Sequence, residues 1–252
     1  MRRALLMAAT TMLAAGAGRV TAQGAELRVL AGSGIAPALQ QLAPLFERAS
    51  GNRMVMFFAP TPQLIAEANS GRAFDLGVVP SEVMQDAAAR ARFEASPEPA
   101  AIARVGYGVA VRAGERHPDI STGERFRQAL LAAPSVATLP GSAAGAYILS
   151  MFDRMGIGAE MRGKLVVPAT PAAIPATVAR GEAALGVFLT NVLAAPGVEL
   201  VGPFPSEFQR DLVYLGARAA TGAAGSTAGA LIRFLRSAEA QAILRSNGLT
   251  PG

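Results

Sequence analysis

The chain has 252 residues, 51% of them hydrophobic and 16% charged, with 23 Lys and Arg against 18 Asp and Glu. That length can bury a sizeable core in one large or two smaller lobes. With no cysteine and one histidine, disulfides, a thiol nucleophile and a thiolate or zinc site are excluded, and no cofactor is implied.

Arg2 and Arg3 precede an apolar run from Ala4 to Ala15, and Val20-Thr21-Ala22 offers small residues where a signal peptidase reads. Residues 1–22 therefore read as an export signal cleaved after about Ala22, because the run is too short for a membrane span. Its removal takes away Arg2, Arg3 and Arg19 and no acid, lowering the net charge from +5 to +2. So small an excess does not argue for nucleic acid. No later stretch is long and apolar enough to span a bilayer, so the mature protein is expected in the periplasm without direct membrane insertion.

Leu27, Val29 and Leu30 form a strand that Gly32-Ser33-Gly34 breaks, and Pro37 opens a helix carrying Leu39, Leu42, Leu45 and Phe46 at helical spacing. A glycine turn into a helix leaves unpaired N–H groups and the positive end of the helix dipole at one point, which attracts anions. Pro44 inside this helix predicts a kink or two shorter pieces. Arg53–Ala59 reads as a second strand. Thr61 lies between Pro60 and Pro62 at the start of a helix bearing Leu64, Ile65 and Ala68, which Asn69-Ser70-Gly71 closes. Residues 74–80 form a third strand, with Asp75 a structural carboxylate, and residues 81–92 a helix capped by Ser81. The β-α-β-α-β order predicts a mostly parallel sheet covered by helices.

Residues 102–112, I-A-R-V-G-Y-G-V-A-V-R, alternate well and are long for a strand, which predicts a crossing between lobes. Residues 123–131 are a helix. Strand 135–139, the Pro140–Gly145 turn and helix 146–155 then repeat the opening design. A strand at 165–167, a helix capped by Thr170 with Pro171 in its first turn, and a strand at 184–189 running into Thr190 and Asn191 follow. Strands at 198–201 and 211–217 carry the chain back. Two terminal helices end the chain, one capped near Ser226 or Thr227 and one by Ser237, with Asn247-Gly248 as the stop and Leu249 packing back. Glycine turns also join strands to helices where nothing binds; the pairing of two such units is what points to a site.

Other chemistries fit less well. G-S-G-I-A-P is one glycine short of the dinucleotide fingerprint and lacks its acidic residue, and neither turn carries a phosphate-loop lysine. His117, in an R-H-P-D loop, has no nucleophile partner in evidence and reads as a surface residue.

V-L-A-G-S-G-I-A-P-A-L, N-S-G-R-A-F-D-L-G-V-V-P, V-A-R-G-E-A-A-L-G-V-F and A-P-G-V-E-L-V-G-P-F-P, in this order and spacing, resemble periplasmic substrate-binding proteins of ABC importers, in the molybdate-binding-like branch. The resemblance covers nearly all of the mature chain. It implies a two-lobed α/β fold of the type II periplasmic-binding class, with a mixed, mostly parallel sheet in each lobe and two crossover strands. Residues 23–103 with 205–252 would form the first lobe, and 104–204 the second. It also implies a monomer that presents a small anionic ligand to a membrane permease.

In that branch neutral groups hold the anion. The first serine position falls on Gly34, with Ser33 beside it, and the second hydroxyl on Thr61. The backbone position falls near Ser142 and Ala143, and the tyrosine position on Phe188 or Leu189, with Thr190 and Asn191 just beyond. The glycine and the missing tyrosine depart from the molybdate pattern. Each helix start contributes roughly 0.3–1 kcal/mol to holding an anion, and each hydrogen bond to a charged group about 1.5–3 kcal/mol. A handful of such donors supports tight binding without a counter-cation.

An organic acid as ligand would call for an arginine, with Arg104 the first candidate and Tyr107 lining the same hinge. The rival reading is a periplasmic isomerase of a small tricarboxylic acid such as aconitate, which some relatives of the branch resemble. That chemistry needs a base beside a carboxylate, and no residue of the sequence stands out for the role.

Overall fold

Alternation of apolar residues sets the first lobe. In the computed structural model, which describes residues 24–252, β1 (Glu26–Gly32) lies parallel to β2 (Arg53–Ala59) and β3 (Leu76–Pro80). Helices α1 (Ala36–Ser50) and α2 (Thr61–Asn69) supply the crossovers. The export signal expected at 1–22 lies outside the described residues.

Pro44 neither kinks α1 into two pieces nor ends it; one helix of 15 residues runs through it. Both Pro44 and Gln40, whose carbonyl loses its donor, are exposed, so water takes up the freed oxygen. The helix expected over 81–92 is broken: a 3₁₀ turn covers Ser81–Gln85, and a short α3 (Ala87–Arg90) follows, capped by Asp86. Asp86 Oδ1 accepts from the Ala89 N–H at 2.8 Å, and this competing cap restarts the chain.

The long strand β4 (Ala100–Arg112) belongs to two sheets. Its first half, to Gly106, pairs antiparallel with β9 (Asp211–Arg218), which also pairs with β3. From Tyr107 onward it pairs with β7 (Leu185–Leu189) and β8 (Val198–Pro203). Between these come α4 (Gly123–Ala132), β5 (Val136–Ala137), α5 (Ala143–Arg154), α6 (Gly158–Gly163), β6 (Leu165–Val166), α7 (Ala173–Ala179) and, after β7, α8 (Thr190–Leu193). α6 has no counterpart in the sequence reading. α5 starts three residues earlier than expected, because Ser142 caps it. Thr170 does not cap α7 with its side chain; its carbonyl accepts from Ala173 N–H instead.

The chain returns through β9 to α9 (Gly225–Leu235), α10 (Ala238–Ser246) and β10 (Thr250–Pro251), which pairs with β4. Neither Ser226 nor Thr227 caps α9, which begins after Ala224 without a side-chain cap. Ser237 does cap α10. At the end of α10, Gly248 has φ 71° and the Leu249 N–H reaches back to Leu244 O at 3.0 Å, as a glycine stop requires.

The result is a two-lobed mixed α/β fold. One apolar cluster runs from Leu27 and Leu39 through Tyr107 on β4 to Ile148 and Phe188, so the lobes share a continuous core across the crossing strand. Asp75 is structural: its carboxylate accepts from Arg28 N–H at 2.8 Å and from Ala224 N–H at 3.2 Å, tying β1 to the approach to α9. Among the described residues no helix is long and apolar enough to cross a membrane.

Candidate functional site

Three strand-to-helix turns meet between the lobes. The first is the 3₁₀ turn Ser33–Ile35, entered from Gly32 in extended conformation with no side-chain cap. The second is the start of α2, entered from Pro60, again without a side-chain cap. Pro60 and Pro62 have no N–H to offer, so Thr61 supplies the donors and the hydroxyl there. The third is the start of α5 in the other lobe. Ser33, Gly34, Thr61, Ser142 and Ala143 all line one small cavity, with Pro80, Phe188, Leu189 and Tyr214 among the walls.

The lobes touch at this point. Ala143 N–H donates to Thr61 Oγ1 at 3.3 Å, a bond between residues 82 apart in sequence. The cavity is small, about 30 Å³, and partly open to solvent, on the scale of a few waters or a small anion. Ser142 holds the α5 turn together: its hydroxyl donates to Leu139 O at 2.8 Å and accepts from Gly145 N–H at 3.0 Å. That hydroxyl is committed to the cap, which leaves the backbone N–H groups of the helix start as the donors from this lobe. Gly145 has to be glycine here, since a Cβ would overlap the Leu139 carbonyl.

No lining residue carries a formal charge, and Tyr214 is the one titratable side chain in the wall. Burial, with nearby Tyr107 and Glu82 adding to it, pushes the Tyr214 phenol above its ordinary range. Burial therefore favours its uncharged, protonated form.

Residues 27–250 match the family described as bacterial extracellular solute-binding protein. The chain belongs to that family. This solute-binding protein is 34% identical, over 98% of its length and 94% of the relative's, to an aconitate isomerase from a Pseudomonas species. Its fold is similar to the periplasmic molybdate-binding protein of Azotobacter vinelandii, with TM-score 0.72, 15% identity, and 90% and 99% of the two chains covered. It is also similar to a sulfate-binding protein from Mycobacterium tuberculosis, with TM-score 0.69, 16% identity, and 90% and 87% covered. At that identity the two structures establish the type II periplasmic-binding fold.

Five other residues singled out from sequence lie elsewhere in the solute-binding protein. Thr190 Oγ1 donates to Gly106 O at 3.3 Å, and Asn191 Nδ2 donates to Gly34 O at 2.8 Å, so both bind backbone rather than lining the cavity. Arg104 is exposed on β4, paired across to Val213 and Thr250, away from the cleft. Tyr107 sits where β4 passes from one sheet to the other, fully buried and behind the cavity wall. His117 is exposed and meets Glu199 Oε2 at 3.1 Å.

Sequence reasoning missed Tyr214, which lines the cavity. Tyr214 fills the space beside Gly34: a Cβ there would collide with its hydroxyl. It sits in D-L-V-Y-L, which reads as an ordinary returning strand. The available signal was the glycine itself, because a helix start without a side chain leaves space that another element must fill.

Proposed function

We propose that this protein captures a small anion between its lobes in the periplasm and hands it to the membrane permease of an ABC importer. The observation that carries the reading is the meeting of helix starts from both lobes on one uncharged cavity, closed by the Ala143–Thr61 bond. An anion entering the opened cleft would replace that bond. It would accept from Ala143 N–H, Thr61, Ser33 and Tyr214, each bond worth about 1.5–3 kcal/mol against a charged acceptor. Closure then excludes water and strengthens every one of them.

A second reading is favoured by one finding, the 34% identity to an aconitate isomerase along nearly the whole chain. Isomerising such an acid moves a proton between carbons, so a base must lie within reach of the ligand. Tyr214, held protonated by burial, suits donation better than abstraction. On this reading the base reaches the ligand from beyond the present walls of the closed cavity.

Thermal-shift and calorimetric titration of purified protein with molybdate, sulfate, citrate and trans-aconitate tests both. Saturable binding of any of these without turnover supports capture and delivery. Interconversion of cis- and trans-aconitate followed by NMR overturns that in favour of the isomerase. Absence of any binding removes the cleft as a site.

A further inference from the structure

We propose that Arg210 and the buried hydroxyl of Tyr107 form a carboxylate subsite beside the cavity, uncovered when the lobes part, which makes the ligand a di- or tricarboxylate rather than a single tetrahedral oxyanion. This rests on the reading that an anion binds in the cleft, and deepens it.

Arg210 bridges the two lobes. Its guanidinium lies 4.0 Å over the Tyr147 ring of α5, the helix whose start lines the cavity, and Nη2 lies 3.1 Å from Glu82 Oε1 on the turn after β3. Glu82 and Arg210 stand just outside the cavity lining, each two residues along the chain from a residue that lines it, Pro80 and Leu212. The aromatic face fixes the cation in place while one edge of its fork meets a carboxylate of the protein's own.

Beside this pair, Tyr107 Oη is fully buried; its polar neighbour is the Arg210 guanidinium, which can only donate to it, and among the described residues no group accepts its proton. A buried hydroxyl left unpaired is costly and rare. The Arg210 charge is near enough to draw the Tyr107 phenol down, though burial outweighs it and the net shift is upward. Tyr107 therefore holds a proton to donate and lacks an acceptor. Glu82 binds Arg210 through a single contact, with its other oxygen 3.3 Å from Ser81 Oγ. A guanidinium presents donors along two edges, so a ligand carboxylate can displace Glu82 or join it.

An inorganic oxyanion seated on the helix starts would end inside the cavity. A polycarboxylate would place one carboxylate there and a second against Arg210 and Tyr107. Arg210 then acts as the specificity-determining residue, and Glu82 as the internal carboxylate that keeps it positioned in the empty protein.

Isothermal titration with citrate, tricarballylate and trans-aconitate, set against sulfate and molybdate, tests this in the wild type and in Arg210→Gln, Arg210→Lys, Glu82→Gln and Tyr107→Phe. Arg210→Gln is expected to lower the ratio of polycarboxylate to sulfate affinity by about tenfold to a hundredfold. Arg210→Lys should fall between it and the wild type, and carries the test should Arg210→Gln fail to fold. Tyr107→Phe should lower the same ratio by a smaller factor. Glu82→Gln should bind polycarboxylates as tightly as the wild type or more tightly. Equal weakening by Arg210→Gln and Glu82→Gln would reduce the pair to a structural tie and overturn the subsite, as would an unchanged ratio in Arg210→Gln. A wild type that takes only inorganic oxyanions overturns the subsite and leaves the cleft reading standing; a wild type that takes neither class overturns both.

Discussion

The hydroxyl of Tyr214 occupies the space a side chain on Gly34 would need, and the same ring lies 2.8 Å from where a Cβ on Gly32 would stand. A tyrosine from the returning strand β9 thus fills the space that side chains at the first helix start would take. Gly34→Ala should force the fully buried Tyr214 aside, at a cost of about 1–3 kcal/mol for an overpacked site. Adding Tyr214→Phe removes the colliding oxygen, so the double variant should recover part of the loss. Urea unfolding of the two singles and the double closes the cycle; strict additivity would show that the two positions do not compete for space.

Thr61 closes the cleft through a hydroxyl and little else. Thr61→Val keeps the shape but removes the acceptor for Ala143 N–H. The loss of one hydrogen bond to a charged ligand corresponds to roughly tenfold or more in Kd. Thr61→Ser should retain most of the affinity. Calorimetry with the tightest-binding anion reads the difference, and equal affinity for Thr61→Val and wild type would remove Thr61 from the site.

Asp75 contributes to stability without touching the cleft. Its two backbone partners, Arg28 and Ala224, are far apart in sequence, so Asp75→Ala leaves both N–H groups without their acceptor. The expected cost is about 1.5–3 kcal/mol for each charged hydrogen bond lost. Chemical unfolding should show it, while anion affinity per folded molecule stays near that of the wild type.

Burial of Tyr107 and Tyr214 sets an alkaline limit on stability. Both phenols are raised from the ordinary value of 10.0 by desolvation. Below pH 10 both are protonated in the folded and unfolded chains and cost nothing. As pH rises beyond that value the unfolded chain ionises first and is favoured, so stability falls. Unfolding free energy measured between pH 9 and pH 11, on either side of that reference value, should decline. Tyr214→Phe should flatten the decline, and an unchanged slope would show that Tyr214 does not contribute to it.

Much of this molecule was legible in its sequence, for reasons that differ by element. The span Arg53–Ala59 and the long β4 could be read because apolar alternation and bounding turns are local signals. Ser33, Thr61 and Ser142 could be paired because Gly, Ser and Pro at helix starts carry their own geometry. Arg104 could not be placed from sequence, because a residue within a long crossing strand can face either side. Only the fold decides, and β4 leaves Arg104 exposed, paired across to Val213 and Thr250. Thr190 and Asn191 fall directly after a cavity-lining strand, yet their polar groups are spent on the Gly106 and Gly34 carbonyls. No sequence pattern shows which polar side chains the backbone will claim first.

The chain contains three tyrosines and no tryptophan, and all three tyrosines gather where the lobes meet. Tyr107 and Tyr147 have ring centroids 4.8 Å apart, Tyr147 donates to the Phe208 carbonyl, and Tyr214 lines the cavity. Intrinsic tyrosine emission and near-ultraviolet absorbance therefore report on the cleft with no background from the rest of the protein. Anion binding that reorders Arg210 over Tyr147, or gives Tyr214 an acceptor, should change both signals saturably. The midpoint should match the calorimetric one, because the same event moves both. Tyr214→Phe should remove the part of the change that arises inside the cavity and leave the part from Tyr147. An anion that binds by calorimetry while leaving all three tyrosines spectroscopically silent would have to sit away from this cleft.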